Sequence, residues 1–241
     1  VPRSNITGSP LTWYDSLKGD LQYFTDPYLP VGHPNNPYSF PIGLNYRFAD
    51  YPDMFKNIGG SQQYRVVAGL MGKAGGWEWD AAFGSMGGRA HQRQQFYRDR
   101  YAYYDAIVSG EYKFGRSNPR ALLDKMFPMM GSDGKSTESW LDFKASKELF
   151  TLEGGPATLV LGADVRHESF LHKSMDNILQ ARIVQFSGVS IDGSRNVSAA
   201  FAELNAPITK KLEADFALRA DKSGPTDLEI IPKANASYLV N

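Results

Sequence analysis

The residues with the most chemical character fall in a few short runs, and most come close to a catalytic or binding pattern without completing it. Gly134-Lys135-Ser136 has the ending of a phosphate-binding loop, in which backbone amides cradle the phosphates and the lysine reaches their outer oxygens. That loop also requires a glycine at position 129, where Met129 stands. His167-Glu168-Ser169-Phe170-Leu171-His172 has nearly the spacing of a zinc-binding helix. One extra residue between the histidines keeps the two imidazoles off a shared helix face. Glu78 and Asp80 stand two apart, which on a strand puts both carboxylates on one face, as a paired acid–base site needs. Solvated side chains are the plainer account of that pair and carry more weight. The four histidines (His33, His91, His167, His172), with no cysteine in the chain, specify neither a catalytic triad nor a ligand set. No catalytic residue, metal ligand or cofactor is therefore expected.

Tyr97, Arg98, Arg100, Tyr101, Tyr103 and Tyr104 form a dense aromatic and basic cluster. Tyrosine and arginine on a firmly based loop can stack on and hydrogen-bond an anionic or polyhydroxylated ligand. A loop packing on its own tyrosines accounts for the cluster equally well. Arg98, Arg100, Tyr101, Tyr103 and Tyr104 are the candidate ligand-binding residues. Three sequons, at Asn5, Asn196 and Asn235, are discounted because two lie within predicted strands.

The elements that position these residues read as strands. Period-2 alternation marks about eight segments, at 41–48, 61–72, 77–86, 136–148, 156–168, 195–206, 210–221 and 230–240. Trp77, Trp79, Ala81 and Phe83 share one face, with Glu78, Asp80, Ala82 and Gly84 opposite. The same split separates Leu159, Leu161, Ala163 and Val165 from Asp164 and Arg166. It also separates Leu212, Ala214, Phe216 and Leu218 from Glu213, Asp215 and Arg219, and Ile42, Leu44, Tyr46 and Phe48 from Asn45 and Arg47. The connections alternate in length: 49–60, 87–135, 169–194 and 222–229 are long, whereas 73–76, 149–155 and 207–209 are hairpin-sized. One ragged end and one neat end are the grammar of an outer-membrane barrel, with long external loops and short periplasmic turns. Within 87–135, Asn118-Pro119 before Arg120–Met126 predicts a short helix with Asn118 as N-cap and Pro119 at its first position.

Composition agrees with many short turns. Aromatic residues make up 13% of the 241, with 23 glycines and 14 prolines, which favours strands over long helices. Lys+Arg and Asp+Glu are 26 each, so the net charge is zero and net charge gives no argument for nucleic-acid binding. The longest apolar stretches fall far short of the ~18 residues of a membrane-spanning helix. The opening Val1-Pro2-Arg3-Ser4 reads as the start of a processed or trimmed polypeptide.

Several runs resemble the middle barrel strands of TonB-dependent outer-membrane receptors. They are Asn36-Pro37-Tyr38 before Tyr46-Arg47-Phe48, then Tyr64–Leu70, Gly75–Gly84, Gly154–Arg166, and Val197–Leu204 with Pro207 and Leu212-Glu213. The closing Pro232-Lys233-Ala234-Asn235-Ala236-Ser237-Tyr238 is similar to that family's Asn-Pro-Lys-Ala-Ser segment, with Ile231 where the Asn usually stands. The likeness covers roughly residues 36–240, without the family's plug domain or TonB box. It implies an all-β, antiparallel up-and-down transmembrane barrel, of which residues 1–241 supply part of the barrel domain. It also implies a Gram-negative outer-membrane location, contact with outer-membrane lipid, and dependence on TonB through a plug. The cargo would be a scarce, large nutrient, by default a ferric siderophore, with an oligosaccharide or cobalamin as further candidates, bound by loops 87–135 and 169–194. Trp77, Trp79 and Tyr238 are candidates for the interfacial aromatic girdle. A passive porin-like barrel, or a soluble all-β carbohydrate-binding module or glycosidase, would share parts of the same pattern.

Overall fold

The computed structural model describes residues 3–5, 11–51 and 55–240. In chain order the elements are β1 (Arg3–Asn5), β2 (Leu11–Asp15), β3 (Asp20–Phe24), β4 (Asn45–Arg47), β5 (Lys56–Ala74), β6 (Trp77–Gln95), α1 (Arg100–Val108), α2 (Arg120–Met126), β7 (Met130–Leu152), β8 (Gly155–Ser174), α3 (Asp176–Leu179), β9 (Ser190–Pro207), β10 (Leu212–Ser223) and β11 (Glu229–Tyr238). Strands β5 to β11 form one antiparallel sheet in sequence order, unclosed, with β5 and β11 at its edges. Two short ribbons, β1 with β4 and β2 with β3, stand apart from it. Among the described residues, no helix is long and apolar enough to cross a membrane.

The hairpin joining β5 to β6 turns through Gly75 (φ +59°) and Gly76 (φ +80°). A two-residue turn with both central φ angles positive matches the twist of its strands, and glycine enters that region at no steric cost. Register across β9, β10 and β11 keeps like with like. Leu204, Phe216 and Ala234 share one row and Ala202, Leu218 and Pro232 another, while Asn205, Asp215 and Asn235 line up on the opposite face.

Besides helices α1 and α3, which fall within expected loops, sequence expectation and structure differ in three places. First, seven strands rather than eight enter the sheet. Segment 41–48 contributes only the three-residue β4, and its apolar positions Leu44 and Phe48 are buried in a loop-built core. Alternation there reports a buried face, and the partner is helix and loop rather than a neighbouring long strand. Secondly, most strands overrun the expected bounds. β6 has 19 residues and β7 has 23, because ladder pairing continues through Gly87–Gln95 in one and Met130–Lys135 in the other, neither of which has an apolar period. Thirdly, Asn118 is not the N-cap of α2: Pro119 holds that position, without a side-chain cap. Asn118 instead receives the Lys113 amide at 2.7 Å and donates to Asp50, Lys113 and Arg116, fixing the loop before the helix.

The chain divides into two compact units. The first comprises Val1–Gln62, Arg89–Gly134 and Leu171–Ile191, and the second Gln63–Gly88, Lys135–Phe170 and Asp192–Asn241.

The first unit has the dense core. Phe48 is its hub, with ring centroids of Tyr46, Tyr103, Tyr112 and Phe127 at 5.0–5.9 Å in edge-on contact. Each such pair contributes about 0.5–1.5 kcal/mol beyond the area it buries. Helix α1 buries Tyr103, Ala106 and Ile107, spaced i, i+3, i+4, and α2 buries Leu122, Leu123 and Met126. His33 is a satisfied core histidine, with Nε2 2.9 Å from the Ile107 carbonyl and Nδ1 accepting from the Asn35 amide.

Among the described residues, the second unit has no comparable core. Its buried apolar positions are small or short: Ala145, Ala157, Val197, Ala199 and Ala214. Many of its large apolar side chains are exposed, among them Val66, Leu70, Phe83, Leu141, Phe143, Phe216 and Leu218.

Candidate ligand-recognition site

The site is built where α1 begins, in the first unit. Asp99 caps the helix: its Oδ1 accepts from the amides of Tyr101 and Ala102, both at 3.1 Å. Its Oδ2 receives Arg182 Nε at 2.8 Å. Backbone bonds from Arg100 N to Arg182 O (2.8 Å) and from Val184 N to Arg98 O (3.0 Å) lace the two long connections together.

The candidate residues divide by environment. Tyr103 is fully buried in the aromatic core. Arg98 pairs with buried Asp26, and its guanidinium lies 5.4 Å from the ring centroids of both Phe24 and Tyr103. Both therefore serve packing, pinning the β2–β3 ribbon against α1. Tyr101 and Tyr104 are exposed, and Arg100 is half-buried. Arg100 is held by Gln22 Oε1 (Nη1, 2.6 Å) and the Tyr101 hydroxyl (Nη2, 2.5 Å). Its guanidinium lies over the rings of Tyr101 and Trp13, with centroids at 4.6 and 5.5 Å, and Arg182 approaches Tyr101 at 6.0 Å. Sequence spacing grouped Arg100 with Tyr101 but missed Trp13, Gln22 and Arg182, which arrive from other segments and share no local motif.

A second polar network sits on α2. Tyr51 donates to Asp124, Gln95 Nε2 donates to the Tyr51 hydroxyl (2.7 Å) and Asp124 (3.0 Å), and Arg120 Nε reaches Asp124 at 3.0 Å. Burial, reinforced by the Asp124 hydrogen bond, pushes the Tyr51 phenol up to about 12. For Asp124, burial works in the opposite direction, yet the bonds from Tyr51, Arg120 and Gln95 hold its carboxyl below the usual value. Burial, followed by the hydrogen bond to Asp50, raises the Tyr112 phenol well above its ordinary range.

The other motifs land on strands. Gly134-Lys135-Ser136 lies inside β7, where no loop can wrap a phosphate. His167 and His172 lie in β8, five residues apart and so on opposite faces, and His167 Nδ1 bonds Asn196 at 2.7 Å. Glu78 pairs with Lys73, and Asp80 faces Lys144 at 3.8 Å. Trp79 lies against Gly72, and Lys147 sits over Trp77 at 5.8 Å. Among the described residues, no three His, Asp or Glu side chains gather as a metal site. The Asn5 sequon runs into Ile6 and Thr7, outside the described residues. On the apolar face, a shallow hollow of about 570 Å³ is lined by Leu159, Ala202, Leu204, Phe216, Leu218 and Pro232. Compared with known proteins, the chain matches no family model and no curated sequence.

Proposed function

We propose that this chain is part of the transmembrane barrel of a TonB-dependent outer-membrane receptor, which takes up a scarce, large nutrient recognised by the folded long connections. The observation that carries this reading is a sheet whose apolar face is left exposed by the described residues, in a chain that packs a dense core elsewhere. Phe83, Leu141, Phe143, Phe216 and Leu218 are each about half exposed. Burying each would gain ~1.5–3 kcal/mol, and monomers in water rarely leave a contiguous patch beyond ~600 Å². The face fits an apolar solvent. At ~3.4 Å per residue, the alternating run Leu212–Ala220 covers roughly 27 Å of strand, or about 21 Å of height at a tilt of ~40°, near the ~25 Å apolar band of barrel proteins. Trp77 follows one short turn, and Tyr238 pairs with Leu212 beside another, as girdle residues would.

The polar face suits a watery interior. Arg219 meets Asp221 at 2.9 Å and Asp164 at 3.5 Å, and Asn205 bridges Glu213 and Asp215 at 2.5 and 2.7 Å. The unpaired edges at β5 and β11 require further strands for closure, as a larger barrel supplies. Density-gradient fractionation of the native polypeptide from its host tests the reading. Recovery with outer-membrane markers, with uptake abolished when the inner-membrane potential is collapsed, is the expected result. Recovery in the soluble fraction would overturn the proposal, and uptake indifferent to the potential would favour the passive porin.

A further inference from the structure

We propose that Arg100, with Arg182 across Tyr101, forms an anion-binding subsite that takes an oxyanion, the carboxylate or phosphate of a small ligand. The case begins with the pairing of guanidiniums in the first unit. Arg98 pairs with Asp26, Arg93 with Asp133, Arg120 with Asp124 and Arg182 with Asp99. Arg100 has no carboxylate partner among the described residues, although it is half-buried. A guanidinium withdrawn from water without a counter-ion is held at a cost. Here its position is fixed by neutral oxygens and two aromatic faces, which leave its charge uncancelled.

The number of donors that remain supports the same assignment. A guanidinium carries five N–H groups. Arg100 gives one from Nη1 to Gln22 and one from Nη2 to Tyr101, and its Nε is buried without a partner. One hydrogen on each terminal nitrogen is left, a pair suited to the two oxygens of a carboxylate or phosphate. The neighbouring carboxylate is already committed, since Asp99 spends Oδ1 on two helix amides and Oδ2 on Arg182. Asp99 thus neutralises Arg182 and leaves Arg100 without a carboxylate. Because Asp99 satisfies those amides, the attraction rests on the arginines and not on the helix end. Tyr101 and Arg182 stay open to solvent, giving a ligand a route in.

This proposal deepens the ligand-recognition reading and rests on it for the anion's belonging to cargo. Binding itself needs no membrane energy, so each can fail alone. The test is calorimetric titration of the native polypeptide purified in detergent at pH 7, with inorganic phosphate in one arm and citrate in the other. Saturable binding by either anion is expected, and whichever binds tighter identifies the group the cargo carries. Arg100→Gln should weaken it about tenfold, Arg182→Gln about threefold, and Arg100→Lys, which keeps charge but loses the planar fork, by an intermediate factor. Arg116→Gln, the same charge change on an exposed side chain in the same unit, should leave affinity unchanged. Should Arg100→Gln loosen the β2–β3 ribbon, the Arg182→Gln result decides, provided its melting is that of the parent. No saturable heat with either anion, or affinity indifferent to both arginines, would overturn the assignment. In either case, recovery of the native polypeptide with the outer membrane would leave the transporter reading standing.

Discussion

Trp140 on β7 lies against Gly84 on β6 so closely that a Cβ at that glycine would stand 2.0 Å from the indole Cζ2. Arg65 approaches the same indole at 5.6 Å. Phe201 on β9 covers Gly162 on β8 in the same manner, with a Cβ-to-ring distance of 2.3 Å. Each aromatic side chain shields the bare backbone of a glycine that would otherwise weaken its strand. Gly84→Val should therefore expel Trp140 and destabilise the sheet by about 1–3 kcal/mol, read from the urea midpoint in detergent. Gly193→Ala, where nothing lies within 4 Å, should leave the midpoint nearly unchanged.

Adjacent tyrosines on α1 should behave differently. Tyr103 is buried among Phe24, Phe48 and Phe127, whereas Tyr104 is exposed. Tyr103→Ala should cost about 3–5 kcal/mol, and Tyr104→Ala should fall within about 0.5 kcal/mol of the parent. Limited proteolysis of the 96–129 connection reads the difference. Equal protection in the two variants would contradict the packing role of Tyr103.

The first unit should lose stability at both ends of the pH range. Tyr51 titrates at about 12 when folded and at an ordinary ~10 when unfolded, so its contribution is complete below about pH 10 and lost as pH rises towards 12. Tyr112 acts in the same direction. Asp124, held low when folded, contributes above the ordinary carboxylate value of ~3.9 and loses that contribution as pH falls through its folded value. Two tyrosines in the 295 nm titration should ionise late, together with loss of the near-ultraviolet dichroism. Tyr51→Phe should remove one of them.

These particulars show what the sequence made legible. Leu212, Ala214, Phe216 and Leu218 alternate with Glu213, Asp215 and Arg219, and that pattern alone marks a two-faced strand. Gly75-Gly76 marks its hairpin equally plainly. Gly87-Gly88-Arg89-Ala90-His91 carries no such period, and its place in β6 comes from pairing with its neighbours. Ile42–Phe48 alternates as cleanly as any strand, but alternation states only that one face is buried, and here loops and helices bury it. The 97–104 cluster was visible as a cluster, yet its division into packing residues (Arg98, Tyr103) and open ones (Tyr101, Tyr104) depends on Phe24 and Asp26, which approach only in the folded chain.

Facing along the strands gives a substitution test. Leu161→Arg or Phe216→Arg would set a charge on the apolar face and should impair assembly by about 2–4 kcal/mol near the bilayer midplane, while Asp215→Arg, beside Glu213, should be tolerated. Folding yield into lipid vesicles is the readout. Equal yields from all three would sink the facing assignment.

Contact between the apolar face and lipid is tested most directly by quenching of single-tryptophan variants, retaining Trp13, Trp79 or Trp140 alone, in vesicles whose acyl chains carry bromine. Trp79, on the face that bears Ala81 and Phe83, should be quenched strongly. Trp13, in the core of the first unit, and Trp140, against Gly84 on the polar face, should retain their emission. Unquenched Trp79 in a folded chain, or quenching of all three alike, would contradict the account.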